Sequence, residues 1–232
     1  MTFYGSRSIS SIIDHTLLRP DAVISEVEAL CREAIEYCLA AVCVNPWCVP
    51  IAAEILKGTQ VAVCAVSGFP LGATTPWIKA SEAQGAVGQG ASEIDVVINL
   101  GALKSGRSEI VHRELSLVRS SIGDAVLKVI LELPLLDGLR AEQACGIALD
   151  CGADYLKTCT GFGPRGVTVD DVVLLKNMAS GRAGVKAAGG VKTLDFARKL
   201  AAAGATRIGT SSGAAIAKEE LREIENPGSG RS

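Results

Sequence analysis

The sequence predicts an α/β fold: a single-domain (β/α)8 TIM barrel, in which eight parallel strands alternate with helices. Short apolar runs rich in β-branched residues recur along the 232-residue chain, and longer segments with helix signals separate them. The runs are almost continuously apolar, which is typical of parallel strands that helices cover. Eight such units in a chain of this length favour a closed barrel, which commonly takes about 250 residues, over an open sheet.

The predicted strands follow one another along the chain at intervals that leave room for a helix after each. The first run is the weakest of the eight, because a charged residue and a histidine interrupt it. The strands are predicted at 12–16, 41–44, 61–66, 94–98, 127–132, 155–160, 185–188 and 206–210.

Helix signals fall between these strands. Thr75 followed by Pro76 predicts a helix start, because proline suits the first helical position. Thr168 predicts a cap, and Asp170 and Asp171 would place two acids at the positive end of the same helix. Glycine followed by alanine closes three helical stretches just before a strand. These pairs lie at 90–91, 152–153 and 204–205.

The domain organisation is simple. No proline-rich or serine-rich linker interrupts the alternation, so we expect one domain over residues 1–225. The last residues, 226–232, read NPGSGRS and are expected to form a disordered tail.

Composition argues against several classes of function. The net charge of −2 gives no basic surplus, so neither nucleic acid nor an anionic membrane is expected as a partner. The longest uncharged run, 37–53, is short and contains two prolines, which excludes a membrane span. The N-terminus lacks a basic segment followed by an apolar one, so no signal peptide is predicted and a cytoplasmic location is expected.

Eight cysteines are present, but none of them forms a CxxC pair, and the two histidines lie far apart. Several of the cysteines fall within strand-like runs. This pattern favours free, buried thiols in a reducing compartment over disulfides or a zinc site. We therefore expect no metal and no cofactor.

Charged residues inside four consecutive strands are the strongest functional signal. Asp95, Lys128, Lys157 and Lys186 each lie within a strand, and the alternation of side chains would send them into the barrel. A single one of them would more simply be a structural ion pair or a lysine with its tip in solvent. Four charged residues on neighbouring strands indicate a catalytic site. Ammonium groups held close together disfavour one another's charged form, which lowers the pKa of a lysine among them. A neutral lysine can form a Schiff base, and Asp95 could move protons for it.

A second group of residues follows the last two strands. Gly189 and Gly190 end the seventh strand, and the run 209–212, Gly-Thr-Ser-Ser, ends the eighth. Loops at these two positions form a recurring phosphate site in barrels, with backbone amides and hydroxyls as donors. Ordinary tight turns are the alternative explanation. No GxGxxG or Walker motif is present, so nucleotide binding is not predicted.

These residues sit in motifs that resemble a known family. The motifs are IDHTLLRPDA (13–22), AVCVNP (41–46), GFPLGATT (68–75), EIDVVINLGALKSG (93–106), LKVILE (127–132), YLKTCTGF (155–162), GVKAAGGVKT (184–193) and RIGTSSG (207–213). Their order and spacing resemble those of the deoxyribose-phosphate aldolase family, class I Schiff-base aldolases with a (β/α)8 barrel. The resemblance covers the chain from residue 12 to about residue 217.

The resemblance implies a role for each candidate residue. The Schiff-base lysine falls on Lys157, the second lysine of the proton relay on Lys186, the acid/base group on Asp95 and a supporting lysine on Lys128. The phosphate-binding residues fall on Thr160, Gly161, Gly189, Gly190, Gly209, Thr210, Ser211 and Ser212.

The resemblance also implies the reaction: reversible cleavage of 2-deoxy-D-ribose 5-phosphate to D-glyceraldehyde 3-phosphate and acetaldehyde. The partners are then small sugar phosphates and aldehydes, and a homo-oligomer is expected because the family is commonly oligomeric. Two alternatives stay open: another Schiff-base aldolase acting on a different phosphorylated sugar, and a non-catalytic phosphate-binding barrel. Cys159 departs from the usual serine of the family, and 133–134 and 164–165 depart from its usual loop residues.

Overall fold

A computed structural model describes residues 8–225, and within them eight parallel strands close into a barrel in sequence order, from β1 to β8 and back to β1. The strands are β1 Ile13–Leu17, β2 Ala41–Val44, β3 Ala62–Ser67, β4 Glu93–Val97, β5 Val126–Ile130, β6 Tyr155–Lys157, β7 Gly184–Ala188 and β8 Arg207–Thr210. The predicted fold class is confirmed. The predicted tail at 226–232 lies outside the described residues.

Helices cover the outside of the barrel. They are α1 Ile24–Glu36, α2 Val49–Ile55, α3 Pro76–Gly88, α4 Leu100–Lys104, α5 Ser108–Ser121, α6 Gly138–Asp150, α7 Val169–Ala179, α8 Leu194–Ala203 and α9 Gly213–Glu225. Short 3-10 helices lie at Ser10–Ile12, Pro46–Cys48 and Leu133–Leu135. Among the residues from 8 to 225, no helix combines the length and the apolar character that crossing a membrane requires.

Two of the predicted helix starts are confirmed. The helix α3 begins at Pro76, directly after Thr75 in extended conformation. The helix α7 begins with a capping box, in which Thr168 accepts the Asp171 amide and Asp171 accepts the Thr168 amide. Each cap satisfies backbone donors that the first helical turn leaves without partners.

The apolar core lies between the sheet and the helices. Outward-facing strand residues such as Ile94, Val129 and Leu156 are fully buried there against the helices. Side chains alternate along a strand, so the residues between them face the barrel axis. In this protein the inward positions hold a cluster of buried charged residues beside a small apolar cluster from β2 and β3, so the axis of the barrel carries a polar site.

The strand β6 is shorter than predicted and ends at Lys157 rather than at residue 160. Beyond it the Thr158 hydroxyl donates to the Ala188 carbonyl and accepts the Ala188 amide, at 3.1 Å each. One side chain therefore replaces the next backbone pair between β6 and β7. The strand β5 also ends early, because Glu132 adopts a left-handed conformation with φ 52°.

Candidate active site

The four charged residues predicted from the sequence meet inside the barrel. Asp95 on β4 is in register with Lys128 on β5, and Lys157 on β6 is in register with Lys186 on β7. All four are buried, and Lys157, at 2% exposed, is the only one of them with any measurable exposure. Adjacent strands therefore bring one carboxylate and three amino groups to one point, as the alternation predicts.

Asp95 is the centre of this cluster. Its Oδ2 lies 2.7 Å from the Nζ of Lys157 and 2.7 Å from the Nζ of Lys186, and its Oδ1 lies 2.9 Å from the Nζ of Lys128. Burial alone would raise the pKa of Asp95, but Lys128, Lys157 and Lys186 outweigh it and hold that pKa well below its usual range. The carboxylate is therefore ionised.

Three further charged residues complete the cluster, and the sequence analysis did not assign them a role. Asp14 on β1 contacts Lys186 and lies 2.6 Å from Arg207 on β8. Glu93 on β4 lies 2.6 Å from Lys128 and 3.1 Å from Arg207. Glu93 precedes Asp95 by two residues and so faces the same way, which is the signal that could have identified it.

The expectation that the lysines weaken one another's charge is wrong for two of them. Burial lowers the pKa of Lys186, but Asp14 and Asp95 outweigh burial, so the net shift is upward. Lys128 behaves in the same way, and its carboxylate neighbours raise its pKa well above the ordinary value. Both side chains are ammonium groups at neutral pH, because carboxylates face them directly.

A cavity of about 310 Å³ opens from this cluster at the C-terminal ends of the strands. Lys157 is the only one of the three clustered lysines that lines it. Most of the predicted phosphate residues line it as well: Thr160, Gly161, Gly189, Gly190, Gly209, Thr210 and Ser211. Ser212 does not line it. A larger cavity of about 630 Å³ lies elsewhere, beside α8 and the first 3-10 helix, and none of the predicted residues lines that one.

The rim formed by β7 and β8 has the features of an anion site. Gly189 has φ 103°, and a side chain there would lie 2.6 Å from the Cys159 sulfur, so backbone alone fits this position. The N-terminus of the 13-residue helix α9 follows the β8 loop, and helix N-termini favour anions. Lys192 also lines the cavity on this side and adds a cation that the sequence analysis did not select.

Two predicted phosphate residues use their hydroxyl groups within the protein. Thr210 Oγ1 donates to the Val191 carbonyl at 2.5 Å and accepts the Ser212 amide at 2.9 Å. Thr160 Oγ1 accepts the Phe162 amide at 3.0 Å. These hydroxyls shape the loops, and the backbone amides of the glycines remain the groups suited to an anion.

Aromatic side chains lie beside Lys157, and one of them, Phe162, lines the cavity. Phe69, from the loop after β3, packs edge to face against Phe162, with ring centroids 5.3 Å apart. The Lys157 Nζ lies 5.9 Å from the centre of the Phe69 ring. The amino group therefore stands between an aromatic wall and the anion-binding rim.

Cys159 lies directly below this rim. Its thiol is buried and donates to the Ala188 carbonyl at 2.7 Å, and burial raises its pKa. The residue supports the backbone of Gly189, and a low-reactivity thiol suits that structural role. Arg165, in another loop that departs from the family pattern, pairs with Asp171 of the α7 cap.

The fold and the cavity together define a class of protein: a parallel (β/α)8 barrel enzyme with a lysine and carboxylate cluster beneath an anion-binding rim. Comparison with known proteins gives the family. A family model described as DeoC/LacD family aldolase matches residues 9–219. The chain belongs to this aldolase family.

Individual relatives cover nearly the whole chain. A deoxyribose-phosphate aldolase of a Geobacillus species is 50% identical over 210 residues, which is 90% of this chain and 94% of that protein. The solved structure of the aldolase QR15 has a TM-score of 0.90 at 42% identity, covering 94% of this chain and 97% of its own. The deoxyribose phosphate aldolase of Aeropyrum pernix, described as a unique tetrameric structure, has a TM-score of 0.83 at 35% identity. The match covers 95% of this chain and 92% of that chain. The resemblance inferred from the motifs is confirmed.

Proposed function

We propose that this protein reversibly cleaves 2-deoxy-D-ribose 5-phosphate to D-glyceraldehyde 3-phosphate and acetaldehyde through a Schiff base on Lys157. The observation that carries the proposal is the position of the Lys157 amino group at the wall of a cavity whose rim suits a phosphate. The names of the relatives support the same substrate, since relatives such as the Geobacillus protein are deoxyribose-phosphate aldolases.

Charge balance supports Lys157 as the nucleophile. The ion-pair network inside the barrel joins four basic groups to three carboxylates: Lys128, Lys157, Lys186 and Arg207 against Asp14, Glu93 and Asp95. A buried net charge is unfavourable, so this network is balanced when one of the four basic groups is neutral.

Lys157 is the group best suited to be that neutral amine. Lys186 contacts two carboxylates and Lys128 has three within 4 Å, whereas Lys157 contacts only Asp95. Arg207 is excluded because a guanidinium stays protonated in proteins. Lys157 is also the one of these lysines that lines the cavity, as a nucleophile requires.

The charge balance of this network also favours conversion of the iminium to the enamine in the synthetic direction. The Lys157 amine adds to the acetaldehyde carbonyl, and the adduct takes up one proton from solvent as water leaves, which gives an iminium and restores the fourth positive charge. Loss of a proton from the adjacent methyl carbon gives a neutral enamine and balances the interior again. The enamine carbon then attacks the aldehyde carbon of glyceraldehyde 3-phosphate, and the aldehyde oxygen takes up a proton. Hydrolysis of the new iminium releases the product and one proton and regenerates the neutral amine of Lys157.

Asp95 and Lys186 are proposed to move the protons. The Asp95 Oδ2 lies 2.7 Å from both Lys157 and Lys186, so an ionised acceptor and a charged donor flank the reacting nitrogen. A water molecule would carry the proton between them and the substrate carbon. Lys128 holds the other oxygen of Asp95 at 2.9 Å and fixes the orientation of the carboxylate.

The phosphate of the substrate is proposed to lie at the β7 and β8 rim. The backbone amides of Gly189 and Gly190 and the loop 209–212 would hold it, with Thr160 and Gly161 at the neighbouring edge. Lys192 would neutralise part of its charge. Anchoring this end positions the aldehyde carbon against the enamine, which accelerates the reaction by fixing its geometry.

Assembly and location are part of the proposal. Trp47, Trp77 and Ile78 are each more than half exposed, and the segments that carry them, Pro46–Cys48 and α3, contact each other. Such apolar surface supports a homo-oligomer, as does the tetrameric relative. Light scattering of the wild type and of Trp77→Glu tests the assembly, since the variant should form smaller particles.

Eight free cysteines, seven of them buried, support a reducing, cytoplasmic location.

An assay of the cleavage reaction tests the activity. Wild-type protein should release acetaldehyde from 2-deoxy-D-ribose 5-phosphate, and Lys157→Ala should release none above background. Lys104→Ala, a change at an exposed lysine of α4, serves as the control. If another phosphorylated sugar were cleaved and the deoxyribose ester were not, the substrate assignment would be wrong while the Schiff-base assignment stood.

A further inference from the structure

Two cysteines lie side by side on the floor of the active site. Cys43 on β2 and Cys64 on β3 are in register across neighbouring parallel strands, and both are fully buried. Neighbouring strands are about 4.8 Å apart, so two in-register side chains on the same face lie next to each other. The proposed aldolase reaction uses neither thiol.

The two thiols share a carboxylate neighbour. The Cys64 sulfur lies 3.1 Å from the Asp95 Oδ1, and the sulfur atoms of Cys43 and Cys64 and a carboxylate oxygen of Asp95 all lie within 4.8 Å of one another. Two cysteine sulfurs and a carboxylate oxygen form a ligand set that zinc and similar soft divalent cations prefer. No CxxC motif marks this site, because the ligands come from three different strands.

The net charge of the three ligands is compatible with the binding of a divalent cation. Two neutral thiols and the ionised Asp95 carry one negative charge together. A divalent cation bound by two thiolates and the carboxylate also carries one negative charge, because the two thiol protons leave for solvent. The neighbouring Lys128 and Lys186 would therefore face the same charge before and after binding.

Lys128 is the competitor for this position. Its Nζ lies 3.2 Å from the Cys64 sulfur and 2.9 Å from the Asp95 Oδ1. It also has Glu93 at 2.6 Å, so it keeps a carboxylate partner when a metal takes Cys64 and Asp95. We expect the ion to enter through the substrate cavity, since Lys157 lines that cavity and contacts Asp95 at 2.7 Å.

We propose that Cys43, Cys64 and Asp95 form a binding site for one thiophilic divalent cation of the zinc and cadmium class, and that occupancy inhibits the enzyme. The cation withdraws negative charge from Asp95, the carboxylate proposed to accept protons beside Lys157, so the inhibitory effect, unlike the binding itself, rests on the proposed aldolase function. Inhibition is reversible, because no covalent bond to carbon forms and a chelator can remove the ion.

Cadmium is the probe that tests the site. Titration of the reduced protein with Cd²⁺ should produce the ultraviolet charge-transfer band of cadmium–thiolate bonds, saturating at one ion per chain. X-ray absorption of the same complex should give two sulfur ligands per cadmium. Both measurements use the wild-type protein and require no turnover, so they stand whether or not the proposed aldolase activity is found.

Variants identify the ligands. Cys43→Ser and Cys64→Ser should each bind cadmium at least about tenfold more weakly, since even loss of an outer partner of a metal ligand weakens binding by that factor. Cys145→Ser, a change at a buried thiol of α6 outside the barrel, should bind as the wild type does. In the activity assay, cadmium should inhibit the wild type and a chelator should restore the rate.

Two results would overturn the proposal. One is the absence of a charge-transfer band, or a cadmium environment with fewer than two sulfurs, in the folded wild type. The other is a band of unchanged affinity in Cys43→Ser or Cys64→Ser, which would place the cadmium at other thiols.

Discussion

At the scale of single residues, Asp95 is the group on which the ionic network converges. It contacts the amino groups of Lys128, Lys157 and Lys186 at 2.7–2.9 Å. Two of these lysines keep another carboxylate when Asp95 loses its charge, but Lys157 does not. A substitution of Asp95 therefore acts first on the residue proposed to form the Schiff base.

Asp95→Asn should lower kcat by about 10²–10⁴-fold, because an amide cannot accept the proton that Asp95 is proposed to move. Steady-state turnover at saturating substrate measures the effect. Asp195→Asn is the matched control, since Asp195 lies on the surface of α8 and pairs only with Lys199 in the described structure. Turnover of Asp95→Asn within about twofold of the wild type would contradict the proton-transfer role.

Ionised Asp14, a member of the ion-pair network inside the barrel, stabilises the folded state. Burial favours its neutral form, but Lys186, Lys128 and Arg207 outweigh burial and lower its pKa from 3.8 to about 2. Because the pKa is lower in the folded state, ionised Asp14 stabilises the fold at pH above about 4, and this stabilisation disappears as the pH falls towards 2. The difference corresponds to about 2 kcal/mol.

Asp14→Asn should therefore be less stable than the wild type by about 2 kcal/mol at neutral pH, and the gap should close as the pH approaches 2. Urea denaturation at a series of pH values measures the gap. Asp150→Asn, which removes an exposed pair with Arg182, should leave stability nearly unchanged throughout. A gap for Asp14→Asn that stayed constant down to low pH would show that the carboxylate charge is not its source.

Single residues also mark the limit of the sequence analysis. Asp95, Lys128, Lys157 and Lys186 could be selected because each is a charge inside an apolar run. Asp14 lay in the weakest predicted strand, and Glu93 and Arg207 lay at strand starts, where a charge is usually solvent-exposed. The two-residue spacing from Asp95 could have identified Glu93, but the inward positions of Asp14 and Arg207 follow from the register of neighbouring strands, which one sequence does not specify.

At the scale of secondary-structure elements, a second buried ion pair joins α3 to α5 behind the barrel wall. The Lys79 Nζ lies 2.6 Å from Glu114, and both side chains are fully buried. Lys79 also donates to the Val97 carbonyl at 2.7 Å, and Glu114 accepts the Asn99 amide at 2.6 Å. The pair thus satisfies backbone groups at the end of β4, just beyond Asp95.

Lys79→Met should destabilise the protein by about 3–5 kcal/mol, because it leaves the Glu114 carboxylate buried without its partner. The double variant Lys79→Met/Glu114→Leu should recover most of the free energy of unfolding, since apolar replacement of a whole buried pair is often neutral. Its kcat should stay below the wild-type value, because Val97 and Asn99 have lost the groups that hold the end of β4.

Urea denaturation and turnover measured on the same samples check this prediction. The exposed pair Asp195 and Lys199 provides a control in the form Asp195→Asn/Lys199→Met, for which both quantities should stay close to wild type. Recovery of stability and turnover together in the buried double variant would mean that the pair has no positioning role.

The elements themselves were predictable to different degrees. The starts of α3 and α7 follow from local signals, proline at the first position and a capping box, that act within a few residues. The end of β6 does not, because Thr158 continues the pairing through its hydroxyl, and this depends on Ala188, thirty residues away. Contacts of that range are set by the closed barrel.

At the scale of the whole molecule, the barrel separates two kinds of packing. Apolar residues hold the helices to the outside of the sheet, and a cluster of charged residues lies at its axis beside a small apolar cluster. The fold class was predictable because the strand and helix alternation covers the entire chain. The cavity was predictable in position, at the C-terminal ends of the strands, but its aromatic wall from Phe69 and Phe162 was not, because loops bring those rings together.

The central claim is that the barrel interior leaves one amine, that of Lys157, free to react. Incubation with acetaldehyde and sodium borohydride, followed by peptide mass spectrometry, tests it most directly. One reduced two-carbon adduct per chain should appear on the peptide that contains Lys157, and omission of acetaldehyde should remove it. No adduct, or an adduct confined to Lys128, Lys186 or a surface lysine, would contradict the claim.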